Sequence, residues 1–459
     1  MLPMTLLHRR LLYISCILLF LILAPAISFY ASGYEFDLTS GKMRRTGILI
    51  VKTDPKGASV NLGEKKKYNW LYEFFYQGQE LKTPIKVRNL LPDEYDITLA
   101  KPDYFDYQSK VKINSGQVTL LEDISLFRRS QPETISKKNI INSKLSPDGK
   151  KLAVLSPDAL SIIELASGQK QEINLDKERL ESKIADIFWA PSNKKILLNY
   201  HNYPIFNIET GKKEAEAITY FSKNIQDARW DAFSDNLIYV RQNNNLFALD
   251  LAQKTISAAL KQKVARNFLI KSGNLYVVEN KDGNYGLAIY NLKSDELEKF
   301  ISLPLQADYD FIDKGDKLIY LYSQKHSLLY LINPSSPVPL QDSIVNVREF
   351  SPLTDGKILF WNDFEIWLYD GAQNKKTLIS RLGEKIGKVL IYPGNENYLI
   401  YNTQTGINVL NWQNKDNLNF TKLSVWQGTS DLVMDAAAEQ LYFISQSDNL
   451  RALWRLNIK

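Results

Sequence analysis

One short apolar run recurs eight times between Leu152 and Leu441, each copy 38 to 44 residues after the one before. The copies read LAVL (from Leu152), ILLN (Ile196), LIYV (Leu237), LYVV (Leu275), LIYL (Leu318), ILFW (Ile358), LIYN (Leu399) and LYFI (Leu441). After a short turn each is followed by a second run, such as SIIEL from Ser161, NLFALD from Asn245, EIWLYD from Glu365 and ALWRL from Ala452. A period of about 40–45 residues with several short strands per repeat is the sequence form of a propeller blade. Turn residues between the runs, as in ASGQK ending at Lys170, are those of antiparallel hairpins. With a further strand upstream of each first run, one repeat makes four strands. The expected fold is all-β, with an eight-bladed propeller over residues 130–459.

The eighth repeat stops at Lys459 before any fourth strand, which would leave a row of unpaired backbone groups on an edge. The segment Glu133-Thr134-Ile135-Ser136 has the pattern of KTIS (from Lys254) and KTLIS (from Lys376), which end other repeats. It is therefore expected to pair with Ala452–Leu456 and close the ring.

The N-terminus carries a second signal. Leu11 to Ala31 is a stretch of 21 residues without a charge. As a helix it reaches about 31 Å, enough for a bilayer core. His8, Arg9 and Arg10 precede it, and the next basic residue is Lys42, so the positive-inside rule puts the N-terminus in the cytoplasm. Residues 1–31 are expected to be a signal-anchor helix, with a short linker over 32–45 and the bulk of the chain outside the plasma membrane. The alternative is a secreted protein cleaved after Ala24-Pro25-Ala26. Retention is favoured because the apolar stretch continues through Phe29 and Tyr30. Cys16, the one cysteine, sits in this stretch, so no disulfide within the chain is available. The net charge of +6 is small and dispersed, where a nucleic-acid binder usually concentrates its basic residues. No nucleic acid is expected as a partner.

Residues 46–127 read as a small β-sandwich. ILIVKT and ASVNL are strands around a Pro-Lys-Gly turn, YDITLA alternates in and out, and Asn114-Ser115-Gly116 is a turn. Gly47–Val51, Asp54–Leu62, Thr83-Pro84, Leu90-Leu91-Pro92, Tyr95–Leu99 and Tyr104 resemble the PEGA domain family. Lys56 replaces the acidic residue of the namesake tetrapeptide, and Asp93-Glu94 stands where a Gly usually precedes the Tyr. The strand pattern gives an antiparallel sandwich, and the resemblance implies an extracytoplasmic interaction or surface-attachment module. Ser146-Pro147-Asp148-Gly149 likewise resembles the turn of bacterial TolB-type and WD-like propellers. The Trp-Asp dipeptide that ends the third strand of standard WD repeats is missing.

An insertion between Gly63 and Thr83 carries Tyr68, Trp70, Tyr72, Phe74, Phe75 and Tyr76. Two readings stay open for it: core of the small domain, or an exposed contact for a partner or the membrane surface. Motifs that carry chemistry are few. His8, His201 and His326 lie far apart, and no H-E-x-x-H, C-x-x-C or G-x-S-x-G occurs. Asp308, Asp310, Asp313 and Asp316 lack the spacing of a calcium loop. No catalytic residue, cofactor or metal is assigned. The expected role is non-catalytic binding or scaffolding of protein or cell-envelope polymer. The alternative is a propeller hydrolase or lyase acting on polysaccharide, whose site would be marked by carboxylates in the central channel. A channel of small and apolar residues would mark the scaffold.

Overall fold

The computed structural model describes the chain apart from residues 1–5, 38–40, 64–79, 176–184, 201–205, 213, 219–224, 259–266, 314–316, 354–355, 414–418, 427 and 448–449. It divides into two compact units, Met1–Ser130 with Leu410–Leu423 and Ile458–Lys459, and Gln131–Val409 with Ser424–Asn457.

The first unit begins with helix α1 (Leu6–Ala31). Its His8–Phe29 stretch, 22 residues of mean hydropathy 2.5, is long and apolar enough to cross a bilayer. Within 32–45, expected as a linker, β1 (Tyr34–Asp37) and β2 (Lys42–Arg45) pair antiparallel, with Tyr34 opposite Arg45 and Asp37 opposite Lys42. Thr46 fastens the base of this pair, since both its N–H and its hydroxyl donate to the Gly33 carbonyl at 2.7 and 2.9 Å.

The sandwich follows. One sheet orders β5 (Ile85–Leu90), β3 (Gly47–Asp54) and β8 (Val118–Ser125), and the other β4 (Ser59–Leu62), β6 (Glu94–Ala100) and β7 (Tyr107–Lys112). Alternation along β3 and β6 sends Leu49, Val51, Tyr95, Ile97 and Leu99 into a shared core with Val60, Leu62 and Val87. The fully antiparallel expectation is corrected here: β3 and β8 run parallel. The Asn114–Gly116 turn follows a strand of one sheet and precedes a strand of the other, so β7 and β8 are not a hairpin. Gly47 admits this crossing, because a Cβ there would stand 2.7 Å from the Asn114 carbonyl oxygen. The Thr-Pro step also has a physical role. The buried Thr83 hydroxyl accepts from Ala58 N–H at 3.0 Å and reaches Thr53 Oγ1 at 2.5 Å, while Thr53 donates to the Pro55 carbonyl. That relay holds the Pro-Lys-Gly turn against the opposite edge.

The second unit is a β-propeller. Among the described residues eight four-stranded sheets follow one another, the first being β10 (Asn142–Leu145), β11 (Lys151–Leu155), β12 (Ala159–Glu164) and β13 (Lys170–Asn174). First strands of successive sheets lie side by side, β10 against Ala185–Trp189 and that strand against Asp227–Trp230, so they form the inner wall. Buried clusters bridge sheet to sheet. Ile162 and Ile173 of the first meet Ile196 and Ile208 of the second, and Leu329 and Leu331 of the fifth meet Ile358 and Phe360 of the sixth. Side chains reach one repeat back as well: Trp189 Nε1 donates to the Lys144 carbonyl and Trp230 Nε1 to the Phe188 carbonyl, both at 3.0 Å.

The last sheet is completed from the other end of the unit. Its strands Ser430–Met434, Gln440–Ser447 and Leu450–Asn457 are followed outward by β9 (Glu133–Ser136). Ser136 lies opposite Leu453, Thr134 opposite Trp454 and Glu133 opposite Arg455, with Ile135 left in a bulge. Arg455 Nη2 meets Glu133 Oε2 at 2.6 Å. Behind the pairing, Leu152, Val154 and Ile163 of the first sheet share a core with Tyr442, Ile444 and Leu453 of the last. Leu453→Ala should therefore cost about 2–5 kcal/mol in urea unfolding, as for an emptied core site. A loss below about 0.5 kcal/mol would mean that first and last sheets share no core.

Candidate functional site

The aromatic residues Tyr68, Trp70, Tyr72, Phe74, Phe75 and Tyr76 lie outside the described residues, as do His201 and Asp316. Two aspartates of the acidic run make cross-links between sheets: Asp310 accepts from Asn267 Nδ2 at 2.7 Å, and Asp313 pairs with Lys271 at 3.0 Å. His326 Nδ1 sits 3.1 Å from Ser323 Oγ within one hairpin. Among the described residues no three His, Cys, Asp or Glu side chains converge as metal ligands.

A cavity of about 950 Å³ opens at the fifth and sixth sheets of the propeller. Its floor comes from the turn Asn362–Glu365, between the strands Lys357–Trp361 and Glu365–Asp370. Asn362 shapes this turn, its Oδ1 accepting from the Phe364 and Glu365 N–H groups at 2.9 and 2.8 Å. The turn exposes Phe364 and presents two carboxylates. Asp363 is held between Arg348 at 3.0 Å and Lys385 at 2.9 Å. Glu365 receives Arg381 on Oε1, through Nη2 at 2.6 Å and Nε at 2.8 Å, and Trp367 Nε1 on Oε2 at 3.0 Å. Arg348 is itself positioned by a 2.6 Å bond to the Ile386 carbonyl.

These partners decide the protonation states. The hydrogen bond from Lys385, with the charge of Arg348 beside it, holds the Asp363 carboxyl below its ordinary value. Arg381, then Trp367 and Asn362, do the same for Glu365. Both groups are ionised acceptors near neutral pH, so neither is set to deliver a proton to a leaving group. The cavity offers fixed charges of both signs and an exposed aromatic edge, a surface for polar recognition.

The inner wall is charged as well. Lys144 on β10 is reached by solvent yet surrounded by protein, as befits a channel side chain. Desolvation pushes its ammonium below the ordinary value, Lys388 and Arg229 add repulsion, and Asp186 opposes them. Asp227, buried at 7% exposure, is raised by desolvation against the pull of Arg229, which pairs with it at 3.2 Å. Lys388 pairs with Glu349 at 2.5 Å. Among the described residues, these charged side chains of the wall mix carboxylates with cations. Neither site is legible in the sequence, because each gathers single charges from several repeats. The one linear trace is Asn362-Asp363-Phe364-Glu365, a turn with two acids where the neighbouring strands carry arginines.

Residues 46–123 match the PEGA domain family. The PEGA domain thus accounts for the sandwich and leaves the propeller unassigned. No curated protein matches the chain. Among solved structures it is similar to dipeptidyl peptidase 4 of Porphyromonas gingivalis, at 14% identity and a TM-score of 0.48, covering 72% of this chain and 60% of that one. The chain thus spans well under two thirds of that peptidase. It is also similar to the Dos1 propeller, at 12% identity and a TM-score of 0.49, covering 72% and 95% of the two chains. The WD40 domain of Neurospora crassa Pan2 matches at 10% identity and a TM-score of 0.40, over 59% and 88%.

The pocket's charges make a pH-dependent prediction. A carboxyl lowered on folding stabilises the fold above its unfolded value, about 3.9 for Asp, and loses that contribution as pH falls through the lower folded value. Asp363→Asn should therefore lower the melting temperature at pH 5–7 and flatten its fall below about pH 4. A variant whose acid limb overlays the wild type would show that Arg348 and Lys385 do not hold Asp363 in solution.

Proposed function

We propose that this chain is a membrane-anchored scaffold of the bacterial cell envelope, in which an eight-bladed, TolB-like propeller binds a protein or an envelope polymer outside the membrane. The observation that carries it is the pairing of Asp363 with Arg348 and Lys385 and of Glu365 with Arg381, which makes the cavity a field of fixed charges whose two turn carboxylates are held ionised. The apolar helix, with Arg9 and Arg10 near its N-terminal end, supports an anchor with its N-terminus in the cytoplasm. The PEGA domain supports an extracytoplasmic interaction module. A polysaccharide hydrolase or lyase is the second reading. It rests on Asp227, which burial raises and which the nearby Asp186 raises further, the separation of roles that paired catalytic carboxyls need. Its ion pair with Arg229 and its burial count against that role.

A photo-crosslinking residue at the exposed Phe364 tests the binding reading in cells. It should yield a discrete adduct of higher mass, and Arg348→Glu with Arg381→Glu should reduce that adduct at least several-fold in protein that remains folded by circular dichroism, its melting temperature lowered by the lost ion pairs. An adduct indifferent to the charge reversal would contradict the proposal. So would depolymerisation of envelope polysaccharide by the purified protein that is lost in Asp227→Asn.

A further inference from the structure

Where α1 ends, the first unit presents a surface that the binding reading does not use. A cavity of about 470 Å³ is lined by the last helical residue, Ala31, with Ser32 and Gly33 after it, and by Arg45, Lys86 and Arg88. No carboxylate lines it among the described residues. In sequence the basic residues stand far from the helix. The β1–β2 pairing sets Arg45 opposite Tyr34, and the paired strands of the sandwich bring β5 alongside. The outer face of the β5-β3-β8 sheet continues from this cavity. Alternation turns Ile48 and Ile50 of β3 away from the core, with Val118 opposite Ile48, and with Leu120 and Lys86 on either side of Ile50. Val118 and Leu120 are 52% and 59% exposed, and Met43 on β2 47%. The result is a patch of aliphatic side chains bordered by three cations, continuous with the end of an apolar helix.

We propose that this face is a footing on the bilayer: Arg45, Lys86 and Arg88 bind phosphate groups of anionic phospholipid in the leaflet that α1 leaves, while Val118, Leu120 and Met43 dip into the interface. This rests on the anchor in the function proposed above. Two features of the face point to anionic lipid. Its charge complements phosphate, and its mixture of aliphatic and basic side chains is that of an interfacial surface. Continuity with the helix places it at headgroup depth without any further element. The footing also fixes how far the sandwich stands from the membrane, which a flexible linker would leave free.

The full-length protein, reconstituted in nanodiscs of phosphatidylcholine with phosphatidylglycerol, provides the test. Lipids that stay bound through extraction are counted by native mass spectrometry. Each basic side chain at an anionic surface strengthens binding about fivefold, so the wild type should retain phosphatidylglycerol over phosphatidylcholine by about tenfold or more. Arg45→Gln with Lys86→Gln and Arg88→Gln should abolish that preference without moving the melting temperature. Equal retention of the two lipids by wild type, or an undiminished preference in the variant, overturns the footing. A dimer formed through this face without regard to lipid does the same. The intact mass of the recovered protein reports separately on the anchor. Should the residues before Ala31 be missing, the anchor fails, and flotation of the recovered chain with phosphatidylglycerol vesicles still decides the footing.

Discussion

A four-stranded sheet with two apolar faces is stable only when a neighbour covers each face, and in an open row the two end sheets would each leave one bare. The pairing of Glu133–Ser136 with Leu450–Asn457 removes both ends at once. It gives the last sheet its fourth strand, and it carries the chain from that strand directly into the first sheet. Leu152, Val154 and Ile163 then bury against Tyr442, Ile444 and Leu453. Hydrogen bonding across the seam and burial behind it reinforce each other. Covering such side chains stabilises by about 1.5–3 kcal/mol each, far more than the Arg455–Glu133 ion pair on the surface contributes.

Closure has a consequence for chemistry. Once the sheets form a ring, the first strands face a common axis, and charges from distant repeats become neighbours: Lys144 senses Asp186, Arg229 and Lys388, which lie in different sheets. The rim cavity has the same origin on a smaller scale. Arg348, the Asn362–Glu365 turn and Lys385 are spread along the chain, yet one hairpin and the strands beside it bring them within ion-pairing distance. A scaffold built this way places opposite charges rigidly, which suits recognition of a polar partner.

Much of the fold was legible because a propeller writes its period into the chain. LAVL, LIYV and LYFI stand where the second strand of a sheet does, and Ile135 and Ser136 could be read as an outer strand from their likeness to KTIS and KTLIS. The sandwich was legible in its strands and not in its pairing, since alternation along β3 and β8 is the same whether they run parallel or antiparallel. The β1–β2 pair escaped because KMRR has no apolar alternation and YEFD alternates over only four residues, the two being held by backbone pairing and by Thr46 on Gly33. The rim cavity was illegible for another reason. Asp363 and Glu365 look like ordinary turn residues until Arg348, Lys385 and Arg381 arrive from other strands.

Amide hydrogen exchange along Leu450–Asn457 tests ring closure most directly. If β9 completes the last sheet, Leu453 and Arg455 should be protected to within about tenfold of Leu329 and Leu331 in the middle of the ring, because all four then open only with the whole propeller. Exchange of Leu453 and Arg455 at the rate of an exposed strand edge, with Leu329 and Leu331 still protected, would show an unclasped ring and contradict the account.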